Sequence, residues 1–184
     1  NREYKATYDH LFDKEENLSI ATGGILTNAS QRPEGFLGTR QRLGTRRAGG
    51  DIERTACKGQ EPEVLRRTVR EALYRVAKLQ NADGFWHASL LDPASYPSPE
   101  TSCTTFIVYA LAYGINEGLL DKDTFLPILV KGWNAQVSAV DADGKLGYVQ
   151  PIGADPKKVT RNMTEVYGVG AFLMGGCEIY KMAR

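Results

Sequence analysis

The sequence has few cysteines, almost no net charge and no long apolar run, and each shortage excludes a class of function. Its three cysteines, Cys57, Cys103 and Cys177, have neither CxxC nor metal-ligand spacing, which predicts isolated thiols and no metal site. The formal net charge of +1 argues against nucleic-acid or membrane binding through a global field. No run of about 18 apolar residues is present, so we expect no segment that spans a bilayer.

What is present suffices for one domain. The chain has 184 residues, of which 42% are hydrophobic, enough for a buried core. It begins at Asn1 without a charged-then-apolar leader, and this decides nothing about the compartment.

Helical segments with short turns follow from Pro62 onward. They are "EPEVLRRTVREALYRVAKLQ", "TSCTTFIVYALAYGINEG", "DKDTFLPILVKGWNAQVSAV" and "TEVYGVGAFLMGGCEIYKM". The first and third carry one apolar stripe, whereas the second is apolar almost all round. Small residues in the last one predict close packing against another helix.

These segments form a repeat. An amphipathic helix ends at Asp83-Gly84 and is followed by Trp86, a proline-bearing loop and an apolar helix. About 60 residues later the same order returns with Asp143-Gly144 and Tyr148, which is typical of stacked helical hairpins. We therefore predict an all-α fold with the apolar helices inside, too few hairpins to close a ring, and hence a fragment.

Residues 19–60 differ from the rest. Phe36 is their only aromatic residue, no apolar periodicity is visible, and Gly, Arg and Thr dominate, which predicts loop or disorder. The sequence thus divides into an ordinary stretch at 1–18, an irregular one at 19–60 and a helical part at 61–184.

Long strings in the helical part carry a resemblance. "LQNADGFWHASLLDPASYPSPETSCTTFIVYALAYGINEGLL", "GKLGYVQPIG" and "TEVYGVGAFLMGGCEIY" resemble the C-terminal part of the unsaturated glycuronyl hydrolases of glycoside hydrolase family 105, a relative of family 88. "YDHLFDKEENL" also resembles that family's middle region. The resemblance implies an (α/α)6 barrel about twice this chain's length, incomplete in this chain.

The irregular segment departs from the family where a motif is expected. In the family, "ENL" is followed by an aromatic pair and Arg-Asp, but here Leu18 is followed by "SIATGG". Shifted by one reading frame, "LSIAT" permits Phe-Tyr-Arg-Asp. In the other shifted frame, "EGFLGTRQRLGTRRAGG" from Glu34 permits K-V-F-W-A-R-G-N-G-W-V, the family's next motif. Our hypothesis is a frameshifted translation of residues 19 to about 58.

The resemblance also implies a chemistry. One Asp acts as general acid and base, protonating the C4=C5 double bond of an unsaturated uronic acid and activating a water. That Asp is expected at the position of Thr22, so no catalytic residue is intact and the chain is expected to be inactive. No metal or cofactor is expected. The expected partner is an unsaturated oligosaccharide, in a periplasmic or secreted setting.

Candidate substrate-binding residues lie in the two repeated loops: Trp86, His87, Glu100, Thr101, Ser102, Thr104 and Tyr148. Trp86 is expected to stack on a sugar or simply to pack. His87 either donates to a uronate carboxylate or is an exposed loop histidine. Glu100 to Thr104 open an apolar helix, where free N–H groups suit an anionic sugar, or they only cap it. Tyr148 and the nearby Gln150 lie in the second loop, and Tyr148 is expected either to bind substrate or to have a structural role.

Two functional alternatives stay open. One is a non-catalytic helical-repeat binding protein. The other is an (α/α)6 glycosidase with a conventional carboxylate pair. Nucleic-acid binding by the Arg/Gly tract (Arg40, Arg42, Arg46 and Arg47) is disfavoured because only Phe36 is near it to stack on bases.

Overall fold

The computed structural model describes residues 62–152 and 154–184, together with two short strands near the start of the chain. Strand β1 (Phe12–Asp13) pairs antiparallel with β2 (Leu18–Ser19). The predictions for residues 20–61, including those for Thr22 and most of the shifted segment, lie outside the described residues.

The predicted helices are confirmed, and the fold is all-α. They are α1 (Pro62–Ala77), α2 (Thr101–Asn116), α3 (Lys122–Ser138) and α4 (Val166–Met182). Short 3₁₀ turns interrupt the two proline-bearing loops: η1 (Pro93–Ser95) precedes α2 and η2 (Pro156–Lys158) precedes α4. Within the described ranges, no helix is long and apolar enough to cross a membrane.

The two hairpins turn in the same way. Gly84 donates its N–H to Asn81 O at 3.0 Å, and Gly144 donates to Asp141 O at 2.9 Å. Both glycines have positive φ, +90° and +81°, a conformation that other L-residues adopt only with strain. The repeat predicted from Asp83-Gly84 and Asp143-Gly144 is therefore confirmed at the level of the turns.

Helix α2 forms the centre of the core. Of its 16 residues, 13 are buried, and its apolar side chains pack with Val69, Leu73 and Val76 of α1 and Phe125 and Leu129 of α3. This burial confirms the prediction that the apolar helix of the first pair lies inside.

Helix α4 packs closely against α2 on one side only. A Cβ added at Gly175 would lie 3.5 Å from Val108 Cγ1 and 3.6 Å from the Tyr109 nitrogen, so the missing side chain lets the two backbones approach. The predicted close packing through small residues is thus confirmed. The opposite side of α4 is exposed, with Leu173 at 60%, because among the described helices α2 is its main packing partner.

Candidate functional site

The first turn of α2 is closed by a buried carboxylate. Glu100 is the N-cap residue: its Oε2 accepts the Cys103 N–H at 2.6 Å, and its Oε1 accepts the Ser102 hydroxyl and, at 3.4 Å, the Gln150 N–H. A carboxylate at a helix N-terminus also interacts favourably with the helix dipole. The prediction that free N–H groups here receive an anionic sugar is wrong for this geometry, because Glu100 already supplies the anion.

The second repeat's loop lies directly on this helix start. Thr101 donates its N–H to Tyr148 O at 2.9 Å, and the Tyr167 hydroxyl donates to Gln150 O. The Gln150 amide donates to Ala154 O at 2.8 Å. Two buried oxygens, Thr101 Oγ1 and Gln150 Oε1, have no hydrogen-bond partner among the described residues. The junction between α2 and residues 148–150 therefore offers two open polar atoms that are buried.

Thr104 joins the same junction to the first repeat's loop. Its Oγ1 accepts the Trp86 N–H at 3.1 Å and donates to Glu100 O at 3.1 Å. Glu100, Thr101, Ser102 and Thr104 are all fully buried. In the geometry described they hold the two loops together, and their contact with a sugar stays a prediction.

Trp86 is a packing residue. The side chain is 0% exposed, and its Nε1 donates to Val76 O at 2.7 Å. Gly132 lets the ring lie against α3, since a Cβ there would sit 2.8 Å from Trp86 Cζ3. The predicted stacking of Trp86 on a sugar is wrong in this structure because neither ring face reaches the surface, and the packing alternative holds.

His87 ties its loop to the preceding turn. The ring is 8% exposed, with Nδ1 3.0 Å from Tyr96 O and Nε2 3.0 Å from Asp83 Oδ2. The expectation of an exposed loop histidine is therefore wrong. Both ring nitrogens are engaged within the chain, which leaves neither for a substrate carboxylate in the conformation described.

Tyr148 is the predicted site residue that reaches the surface. It is half-buried and has φ of +55°, a strained conformation for a tyrosine. The Arg161 guanidinium lies 5.9 Å from its ring centroid and donates to Asp141 Oδ1 at 2.7 Å. Hydrogen bonding and charge attraction from Asp141 raise the pKa of Arg161, so this group is a permanent cation.

A second cation and tyrosine pair was missed at the sequence level. Lys157 Nζ lies 5.2 Å from the ring centroid of Tyr96, which belongs to the other loop. The distance is within the range of a cation–π interaction. Tyr96, Lys157 and Arg161 were missed because the contact joins loops about 60 residues apart, and only the helix repeat, which stacks the loops, points to it.

Two aspartates act as N-cap residues. Asp92 accepts the Ser95 N–H in η1, and Asp121 accepts the Thr124 N–H at the start of α3. Across the part of the chain that the structure describes, no group of three His, Cys, Asp or Glu side chains is placed to hold a metal ion.

An all-α hairpin array with a buried polar junction between repeated loops is the architecture of the (α/α)6 glycoside hydrolases. Residues 57–183 match the model of Glycosyl Hydrolase Family 88. The chain therefore belongs to glycosyl hydrolase family 88, in agreement with the resemblance drawn from its motifs.

Individual relatives agree with the family. An "Unsaturated 3S-rhamnoglycuronyl hydrolase" of Formosa agariphila is 33% identical over 97% of this chain and 49% of its own length. A solved glycosyl hydrolase family 88 structure from Bacteroides vulgatus has a TM-score of 0.87 and 29% identity, over 96% of this chain and 53% of its own. A structure described as a polysaccharide lyase has a TM-score of 0.89 and 30% identity, over 99% and 54%. The chain thus spans about half the length of these relatives.

Proposed function

We propose that this chain is part of a hydrolase that removes unsaturated uronic acids from oligosaccharides made by polysaccharide lyases. The observation that carries the proposal is the family match over residues 57–183, together with the name of the Formosa relative. The junction of Glu100 and Thr101 with residues 148–150 supports it, because these hydrogen bonds hold the second repeat's loop against the end of the first.

The proposed reaction is hydration of the C4=C5 double bond. One aspartic acid protonates the double bond and activates a water, and the hydrated sugar, a hemiketal, opens and releases the rest of the oligosaccharide. The residues described here supply no proton in this scheme. They hold the loops that would shape the substrate's binding surface.

We also propose that the chain as written is inactive. Thr22 stands where the resemblance places the catalytic aspartate, and a threonine hydroxyl is too weak an acid to act as general acid and base near neutral pH. The family match begins at residue 57, near the end of the proposed frameshift, which supports the hypothesis. The alignment with the Formosa relative covers 97% of the chain and so extends into the segment proposed to be frameshifted. The DNA sequence of this segment therefore decides whether the frameshift is real.

The test has two stages. Sequencing the DNA across codons 18 to 60 should reveal insertions or deletions that restore the frame, and a single clean frame would overturn the frameshift. A family-length protein with the corrected segment should then remove the ultraviolet absorbance of the unsaturated uronide, while the same protein carrying the printed residues 19–58 should not. Equal activity of the two would disprove a role for the aspartate.

A second candidate, a polysaccharide lyase, is favoured by one observation, the likeness to the structure described as a lyase. The direction of the change in this absorbance distinguishes the two reactions. A lyase creates the C4=C5 chromophore from an intact polysaccharide, whereas the hydrolase consumes it. An absorbance increase with intact polysaccharide would replace our first proposal by the second.

A further inference from the structure

The second proline-bearing loop carries two cations that lie over tyrosine rings, and one of them, Lys157, contacts the first loop. Lys157, in η2 of the second loop, lies over Tyr96, which follows η1 in the first. Arg161, four residues further along, lies over Tyr148. Both tyrosines are half-buried, and their backbone oxygens accept hydrogen bonds from residues of the buried junction or its neighbour, His87 for Tyr96 and Thr101 for Tyr148.

Lys157 differs from the lysine beside it. Lys158 is paired with Asp155, Nζ to Oδ2 at 4.0 Å, and its side chain is largely exposed. Lys157 has no ion-pair partner among the carboxylates of residues 62–152 and 154–184. Its backbone is nevertheless fixed, because its N–H donates to Asp155 Oδ1 at 3.0 Å. A fixed cation without a paired carboxylate is available to an anionic ligand.

The buried junction below cannot take that role. Glu100 already places a carboxylate on the first turn of α2, and a second anion there would be repelled. The open atoms of the junction, Thr101 Oγ1 and Gln150 Oε1, are oxygens that suit hydroxyl donors. Anion recognition is therefore separated from hydroxyl recognition, and on the loop rim Lys157 carries a positive charge that no described carboxylate neutralises.

We propose that Lys157 on Tyr96, assisted by Arg161 on Tyr148, forms a rim that binds an anionic group of the oligosaccharide, a sulfate or a uronate carboxylate. This inference rests on the proposed function, which supplies the oligosaccharide. Lys157 makes the direct contact. Arg161 is paired with Asp141 at 2.7 Å, so its contribution is expected to be smaller than that of Lys157.

The test is a calorimetric titration of the wild-type chain, K157A, K157R and the matched control K158A. The probes are sodium sulfate, a sulfated unsaturated uronide oligosaccharide, its desulfated counterpart and a neutral oligosaccharide of equal length. K157A should weaken binding of the sulfated oligosaccharide about tenfold, the value of one charge-assisted contact, and K157R should restore it. K158A should change binding by less than about twofold because its charge is solvated and paired with Asp155.

The outcomes separate the inference from the proposed function. Equal losses in K157A and K158A, or no loss in K157A while the oligosaccharide still binds, would overturn the rim and leave the function standing. Lys157-dependent binding of sulfate without binding of any oligosaccharide would support the rim and count against the function. No binding of either probe would overturn both. If the K157A defect vanishes on desulfation, the recognised group is the sulfate; if it persists, it is the carboxylate.

Discussion

The two helical repeats share one sequence pattern but differ in how deeply they are buried. In the first, Trp86 is fully enclosed and α2 is buried on most of its surface. In the second, Tyr148 reaches the surface and α4 is covered on one side. The pattern of turn, aromatic residue, proline loop and apolar helix therefore specifies the hairpin, while the position of the hairpin in the stack determines which residues face solvent.

The difference assigns separate roles to the repeats. The first supplies rigid support, since its loop is tied down by His87, Trp86 and Thr104. The second brings surface groups over that support through Tyr148, Lys157 and Arg161. Substitutions at matched positions of the two repeats should therefore have unequal effects.

The largest difference is expected between leucines of the two apolar helices. Leu111 of α2 is 0% exposed, so Leu111→Ala should reduce the free energy of unfolding by about 3 kcal/mol through lost burial and a cavity. Leu173 of α4 is 60% exposed, and Leu173→Ala should stay within about 0.5 kcal/mol. Urea unfolding followed by circular dichroism measures both. A loss at Leu173 as large as at Leu111 would mean that this side of α4 is covered in solution.

The turn glycines provide the next comparison. Gly84→Ala places a Cβ 2.8 Å from Lys131 O and 2.9 Å from Ala135 Cβ in a backbone with φ of +90°, so strain and overlap add to a loss of about 3 kcal/mol. Gly144→Ala meets the strain alone, since no described atom lies within 4 Å, and should cost about 1 kcal/mol. Thermal unfolding of both variants measures the two losses in stability and hence their ratio. Equal losses would show that the first turn relaxes away from α3.

Much of the fold was predictable because helices and turns leave local signals. Apolar stripes located α1 and α3, apolar composition located α2 and α4, and Asp-Gly located both turns. The site was less predictable, because burial is a tertiary property. Trp86 and His87 have the residue types of a sugar site, yet neighbours distant in sequence, Val76, Gly132 and Tyr96, enclose or engage them. The pairing of Lys157 with Tyr96 has no local signature at all.

A smaller effect of opposite sign, a gain in stability, is expected at Gln136, one of two buried glutamines. Both polar atoms of the Gln136 amide lack a partner within residues 62–152 and 154–184, so Gln136→Met removes an unsatisfied group and should stabilise the chain by about 1 kcal/mol. Gln150 has one hydrogen bond to lose, from its amide nitrogen to Ala154 O, and one unpaired oxygen, Oε1, so the two effects oppose each other and Gln150→Met should change stability by less than about 0.5 kcal/mol. The midpoints of urea unfolding, compared at an unchanged m-value, measure the two changes in stability. Destabilisation by Gln136→Met would indicate that an ordered water satisfies the amide.

The smallest effect is expected at the start of α3 and depends on pH. Hydrogen bonds from the Thr124 hydroxyl and from the Thr124 N–H lower the pKa of Asp121 below the ordinary value of an aspartate. The carboxylate form thus stabilises the fold above that value, and this contribution is lost as pH falls through the lower folded-state pKa. Asp121→Asn should flatten the stability profile in this acidic window, whereas Asp123→Asn removes a charge from the same turn and leaves the cap intact. Because Asp121 is exposed, the slope of stability against pH should change only slightly. Identical stability profiles for wild type and Asp121→Asn would show that the cap does not make stability depend on pH.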